Sequence, residues 1–246
     1  MLIHKYRNIQ SIKICFWGPS LSGKTYILTA IKIMKSLENP KEVIDFVKVA
    51  DQDTGRTVFF DQAVFGFGKK PDSDDFLFKI HIFTTAGQKR LRETRKVVLQ
   101  GIRGLVLVLD GALDQWENNI WSLQELKKLK GEEIIQKNIP YTILINKQDL
   151  PWGTRFTHRH VSKLLKAAEV DDVFSNPEPI IFRGSCLKAK QDLESLLRNL
   201  PRSVLLDEKG LFKKEFRPES FSPFMKTIES IIKQVIKQQL KASDAR

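Results

Sequence analysis

The residues best suited to chemistry form one short run, Gly18-Pro19-Ser20-Leu21-Ser22-Gly23-Lys24-Thr25, which follows the pattern G-x-x-x-x-G-K-[ST]. Such a run holds a polyphosphate. Gly18, Ser20, Ser22 and Gly23 are small enough for the backbone to curl around a β-phosphate with its N–H groups inward, and a helix starting near Lys24 adds its positive dipole end. Lys24 then reaches the β- and γ-phosphates, and Thr25 ligates Mg2+. Background residue usage yields the pattern by chance in roughly one chain in a hundred. The apolar run before it and the helical pattern after it argue against chance here.

A phosphate loop leaves the base open. Asn146-Lys147-Gln148-Asp149 ends a β-branched run, so it falls at the carboxyl edge of a sheet, where ligands bind. The Asp149 carboxylate can accept from guanine N1–H and the 2-amino group together, a donor pair that adenine lacks. Asn146 is expected to tie the base turn to the phosphate loop, and Lys147 to lie along base and ribose. Ser185-Cys186 offers a backbone N–H toward guanine O6. At the phosphate end, Thr84-Thr85-Ala86-Gly87-Gln88 follows a third strand. Gly87 can present its N–H to a γ-phosphate with no side chain in the way, and Gln88 can orient an attacking water. Thr84 stands where an aspartate would hold a Mg2+-bound water, so the metal shell must be built differently.

Elements able to position these residues are legible as short β-branched or aromatic runs alternating with helical patterns, the signature of an α/β sheet built from βαβ units. Strands are expected over residues 11–17, 57–65, 76–83, 104–110, 141–146 and 179–182, and helices over 24–37, 89–100, 116–130, 157–168 and 190–199. Gly66, Gly68, Pro71 and Asp72 separate the second and third strands as a hairpin would. A six-stranded, mostly parallel sheet flanked by helices results. Beyond Leu200, Pro201, Pro218 and Pro223 break the rhythm, so 201–223 reads as a linker. Residues 224–242 form an amphipathic helix with Phe224, Met225, Ile228, Ile231, Ile232, Val235 and Ile236 on one side and lysines on the other. Its apolar face suits packing on the domain or a partner; its lysines suit peripheral contact with an anionic membrane.

The 246 residues, 41% apolar, can bury one α/β core with an extension left over. Two cysteines cannot form a disulfide framework, which points to a reducing compartment. There is no signal-peptide h-region, no ~20-residue apolar run and no lipidation signal, so a soluble cytoplasmic protein is expected. The net charge of +12 comes from scattered basic residues. No stacking-platform motif accompanies it, which argues against nucleic acid as a partner. The four histidines lack metal-ligand spacing.

The order of Gly18 to Thr25, Arg56-Thr57-Val58-Phe59-Phe60-Asp61, Thr84 to Gln88 and Asn146-Lys147-Gln148-Asp149-Leu150-Pro151 resembles the MglA family of small GTPases, relatives of the Ras, Arf and Rag groups. The resemblance covers about residues 9–200 and extends to the runs 94–101 and 119–123. It implies a Ras-like P-loop NTPase fold in residues 1–200 and a switch that binds Mg2+·GTP and hydrolyses it slowly to GDP. It also implies roles for three residues. Thr57 would ligate Mg2+ in the GTP state, with Thr54 as a rival. Arg56 would be an arginine supplied from within the chain, and Asp61 would make up for Thr84 near the metal, through a water. Family members pair with roadblock-domain proteins; exchange factor and effectors are not indicated. Thr84 keeps a second reading open, a pseudo-GTPase scaffold that binds nucleotide without cycling.

Overall fold

The structure, a computed structural model, describes residues 11–50, 57–69, 75–86, 91–174 and 178–244. In chain order the main elements are β1 (Ser11–Trp17), α1 (Lys24–Glu38), β2 (Val43–Ala50), β3 (Thr57–Lys69), β4 (Phe76–Thr85), α2 (Arg92–Val98), β5 (Gly104–Leu109), α3 (Trp116–Gln136) and β6 (Tyr141–Ile145). There follow α4 (His158–Ala167), α5 (Asp171–Phe174), β7 (Ile180–Arg183), α6 (Cys186–Asn199), α7 (Arg202–Leu205) and α8 (Ser222–Asp244). They build one seven-stranded sheet in the order β2-β3-β4-β1-β5-β6-β7. β3 runs antiparallel to both its neighbours, and the pairings from β4 to β7 are parallel. The β3–β4 hairpin and the mostly parallel sheet are those expected.

The seventh strand is β2, which the sequence reading lacked. It is an edge strand whose Asp45 and Lys48 are exposed, so no clean apolar alternation marks it. Two helices are also longer than their patterns. α3 continues through Gly131 to Gln136, and α6 begins at Cys186, with the Ser185 hydroxyl accepting from Lys188 N–H as its N-cap.

Period-two alternation along β1 divides the core. Ile12, Ile14 and Phe16 join the cluster under α1, α6 and α8, while Cys15 and Trp17 join the one under α2, α3 and α4. The stretch expected as a linker holds α7 and buries Leu205, Phe212 and Phe221. Phe212 N–H donates to Leu37 O at 2.7 Å, and the Arg217 guanidinium grips Glu38 at the end of α1 with two 2.6 Å bonds. Behind it, α8 buries Phe224, Met225, Ile228, Ile231, Ile232 and Val235 in the same cluster as α1 and β1. Gly104 and Gly184 permit this approach, since a Cβ on either would come within 3.0 Å of the α8 side chains Ile231 and Phe224, respectively. The apolar stripe of the terminal helix is therefore taken up within the molecule, leaving Lys226, Lys233, Lys237 and Lys241 exposed. At ~1.5–3 kcal/mol for each fully buried apolar side chain, this face holds the C-terminal segment firmly to the sheet. Among the described residues no helix is long and apolar enough to cross a membrane.

Candidate nucleotide-binding site

The phosphate loop leaves β1 at Trp17 and enters α1 at Lys24. Its two glycines have steric reasons. A Cβ on Gly18 would lie 2.1 Å from Val108 O, and one on Gly23, which adopts φ 95°, would lie 2.2 Å from Asn146 Nδ2. Ser20 is half-buried and Ser22 buried. Lys24 is 6% exposed, and its ammonium donates to Gly18 O at 2.9 Å and Pro19 O at 2.6 Å. Burial first, then the nearby Arg95 guanidinium, pull its pKa down to about 7, against the opposing pull of Cys15, Asp61 and Asp110.

A polyphosphate bound at this ammonium would be held in a proton-linked way. The folded apoprotein holds fewer protons than the unfolded chain between pH 7 and 10.5, so the Lys24 contribution to stability rises with pH across this window. A bound polyphosphate supplies the opposite charge and raises the pKa again. At pH 8, GDP binding should take up a substantial part of one proton, and affinity should fall as pH rises above about 7. Calorimetric titrations in two buffers of different ionisation heat measure the uptake; Lys24→Met should abolish it. Zero uptake by the unaltered protein would contradict the assignment.

Asp61 and Thr84 are register partners on β3 and β4, and both are fully buried. The Asp61 Oδ2 accepts from Thr84 Oγ1 at 2.8 Å and from Thr25 Oγ1 at 2.5 Å, while Asp61 N–H donates to Thr84 Oγ1 at 3.2 Å. A carboxylate from β3, two strands away from β1 in the sheet, thus touches the phosphate-loop hydroxyl. These are hard oxygen donors, the type Mg2+ takes alongside phosphate oxygens and waters. Among the described residues there is no group of three or more His, Cys, Asp or Glu that could hold a metal, so an ion here would have to share its ligands with a phosphate. Thr57 is described as the first residue of β3, its backbone paired with Ala50. Thr54, Arg56, Gly87 and Gln88 lie outside the described residues.

At the base end, Asn146 is 1% exposed and its amide bridges three segments. Nδ2 donates to Ser22 O at 2.9 Å and lies 3.2 Å from Cys186 Sγ, and Oδ1 accepts from Cys186 N–H at 3.1 Å. Asp149 accepts from the Ser185 hydroxyl, which also caps α6. Burial raises the Cys186 thiol pKa, so this sulfur remains a neutral neighbour of the base turn. Lys147 adopts φ 61°, and its ammonium donates to Asp110 Oδ2 at 2.6 Å.

Two groups were missed from sequence. Asp110, 1% exposed, follows the wholly buried β5; a lone acid at the carboxyl edge of an apolar strand was its signal. Arg95 on α2 is fully buried beside the indoles of Trp17 and Trp121, its guanidinium 5.4 and 4.8 Å from their ring centres, and pairs with Glu125 of α3 at 2.5 Å. Trp17 Nε1–H donates to Ser122 O at 2.8 Å, so the root of the phosphate loop is tied to α3 as well. No local pattern announces a buried guanidinium of this kind.

A phosphate loop and a base turn brought together at the carboxyl edge of a mostly parallel sheet define a small GTPase of the P-loop, Ras-like class. Residues 75–204, just over half the chain, match the ADP-ribosylation factor family. The mutual gliding-motility protein MglA of Myxococcus xanthus is 34% identical over 140 residues, covering 56% of this chain and 68% of that protein. The chain belongs to the ADP-ribosylation factor family and is an MglA-like member of it. An uncharacterized protein of Methanocaldococcus jannaschii is 29% identical over 123 residues, covering 45% of this chain and 73% of its own. Among solved structures, the Arl6 BBS3 small GTPase from Trypanosoma brucei with bound GppNp aligns with a TM-score of 0.49 at 18% identity, covering 73% of this chain and 89% of its own.

Proposed function

We propose that this small GTPase binds Mg2+·GTP, hydrolyses it slowly to GDP and presents different surfaces in its two nucleotide states. The observation that carries the reading is the contact of Asp61 with both Thr25 and Thr84. Thr84 by itself favours the scaffold reading, because a hydroxyl there cannot supply the negative charge of the usual aspartate. Asp61, its partner across the β3–β4 ladder, supplies that charge to the same corner.

In this reading Thr25, Thr57 and Asp61 hold the metal, Asp61 through a water. When bound, Mg2+ would supply positive charge to neutralise the phosphates. Lys24 turns from the loop carbonyls to the phosphates, Gly87 N–H marks the γ-phosphate, and Gln88 orients the water for in-line attack. Arg56 neutralises charge developing on the transferred oxygens. Without a stimulating partner the rate should fall at roughly 10⁻⁴ to 10⁻² per second, the range of relatives without and with a built-in arginine. A roadblock-domain homodimer is the partner proposed to close the switch. Residues 1–200 act as the GTPase domain, with the segment after them as its buttress. Any membrane contact falls to the exposed lysines of α8, since its apolar face is packed.

The test is single-turnover phosphate release from GTP-loaded protein, alone and with a roadblock partner. Arg56→Ala should leave GTP affinity nearly unchanged and slow release, by up to about 10³–10⁵-fold in the partner's presence. Wild-type rates under both conditions would remove Arg56 from the mechanism, and no release from the unaltered protein would favour the scaffold.

A further inference from the structure

We propose that Asp110 is a positioning residue for the nucleotide, which holds Lys147 in the pose that receives the base and ribose; this rests on the guanine-nucleotide reading above. Lys147 has four rotatable bonds in its stem and sits on a backbone at φ 61°, a region costly for any residue but glycine. Left alone it would sample many poses, and ordering it would be charged against binding. Its ammonium is instead fixed to Asp110 Oδ2 at 2.6 Å. Asp110 is itself immobile. Its other carboxylate oxygen accepts from Ala112 N–H at 3.1 Å, and the buried Asn119 side chain clamps its backbone, accepting from Asp110 N–H and donating to Asp110 O, each at 2.9 Å.

The two turns also interlock. A Cβ on Gly111 would lie 1.9 Å from Asn146 O, Asn146 N–H donates to Leu109 O at 3.1 Å, and Gly111 O accepts from Phe156 N–H at 2.6 Å. Gln148 closes the circuit, its amide donating to Phe156 O at 3.0 Å and its carbonyl accepting from the Arg155 guanidinium at 2.8 Å. The buried carboxylate and the half-exposed ammonium balance each other's charge, so the pair fixes a stem without presenting an unpaired ion. Asp110 acts through Lys147 and not by touching the nucleotide.

The experiment is a double-mutant cycle read by the dissociation rate of a fluorescent GDP. Asp110→Asn keeps an oxygen for Ala112 N–H and removes the charge, so it should fold and release GDP about tenfold faster, the scale of one charge-assisted hydrogen bond and one ordered side chain. Lys147→Met should speed release by at least as much. The double variant should be no faster than Lys147→Met alone, because Asp110 then has nothing left to hold. Effects that multiply would overturn the proposal in favour of a general loosening of the turn, as would an unchanged rate for Asp110→Asn. Asp110→Ser, which also keeps an acceptor oxygen, takes its place in the cycle if the asparagine variant does not fold. Unaltered protein that fails to hold GDP would overturn the guanine reading itself, whereas tight GDP binding with insensitive variants overturns the Asp110 role alone.

Discussion

Replacing Asp61 by alanine should remove most of the Mg2+-dependent part of GTP affinity. This carboxylate is fully buried, and its Oδ2 accepts from hydroxyls on two different elements, Thr25 of α1 and Thr84 of β4. A fully buried carboxylate at this position places negative charge where a cation and a polyphosphate would meet. A Mg2+ ion bound at this corner beside the γ-phosphate would draw on that charge. Affinity measured in Mg2+ against EDTA separates the metal's contribution. For Asp61→Ala that difference should shrink by a factor of about 10 to 10², in line with ~1.5–3 kcal/mol for a hydrogen bond to a charged group. Because Asp61 and Thr84 are cross-strand partners, the exchange Asp61→Thr with Thr84→Asp should recover much of the metal dependence. An Asp61→Ala protein with the full Mg2+ effect would contradict this assignment of the metal corner.

The second large effect concerns the base. Asp149→Asn should lose GTP by about 10²–10³-fold or more, because guanine's paired donors would face an amide and be left partly unmatched. Xanthosine triphosphate, whose base carries an oxygen in place of the 2-amino group, should bind the variant better than GTP does. The Ser185 hydroxyl now donates to Asp149 and caps α6, and it can donate equally to an asparagine carbonyl, so the fold should tolerate the change. Competition of each triphosphate against a fluorescent nucleotide reads the reversal; equal loss of both would mean that Asp149 serves the turn and not the base.

Much of this architecture was legible in the sequence because its signals are local. A phosphate loop must lie between a strand and a helix, and Asn146-Lys147-Gln148-Asp149 must end one, so the sheet edge carrying both followed from periodicity and turn chemistry. The features missed depend on distant partners. β2 has charged residues on an exposed edge and no one-sided alternation. Residues 201–223 show broken periodicity, yet Phe212 and Phe221 are buried there in the cluster that also holds α1 and β1, elements far away in sequence. Asp110 looks like the polar end of a strand until Lys147, 37 positions later, is seen bonded to it. Arg95 reads as one more cation on a helix until two indoles and Glu125 enclose it. The Thr84 departure was visible, and the partner that answers it was indicated by family resemblance, with the register of β3 against β4 supplying the contact.

Titrating nucleotide-free protein with GTP and ATP, each with Mg2+ and with EDTA, probes at once the proposed guanine site and its completion by Mg2+ at the Thr25–Asp61 corner. GTP should bind tightly and more weakly once Mg2+ is removed, and ATP should bind at least about 10²-fold more weakly under both conditions, the scale of leaving a buried donor–acceptor set unmatched. Equal affinity for GTP and ATP, or GTP binding indifferent to Mg2+, would contradict that assignment.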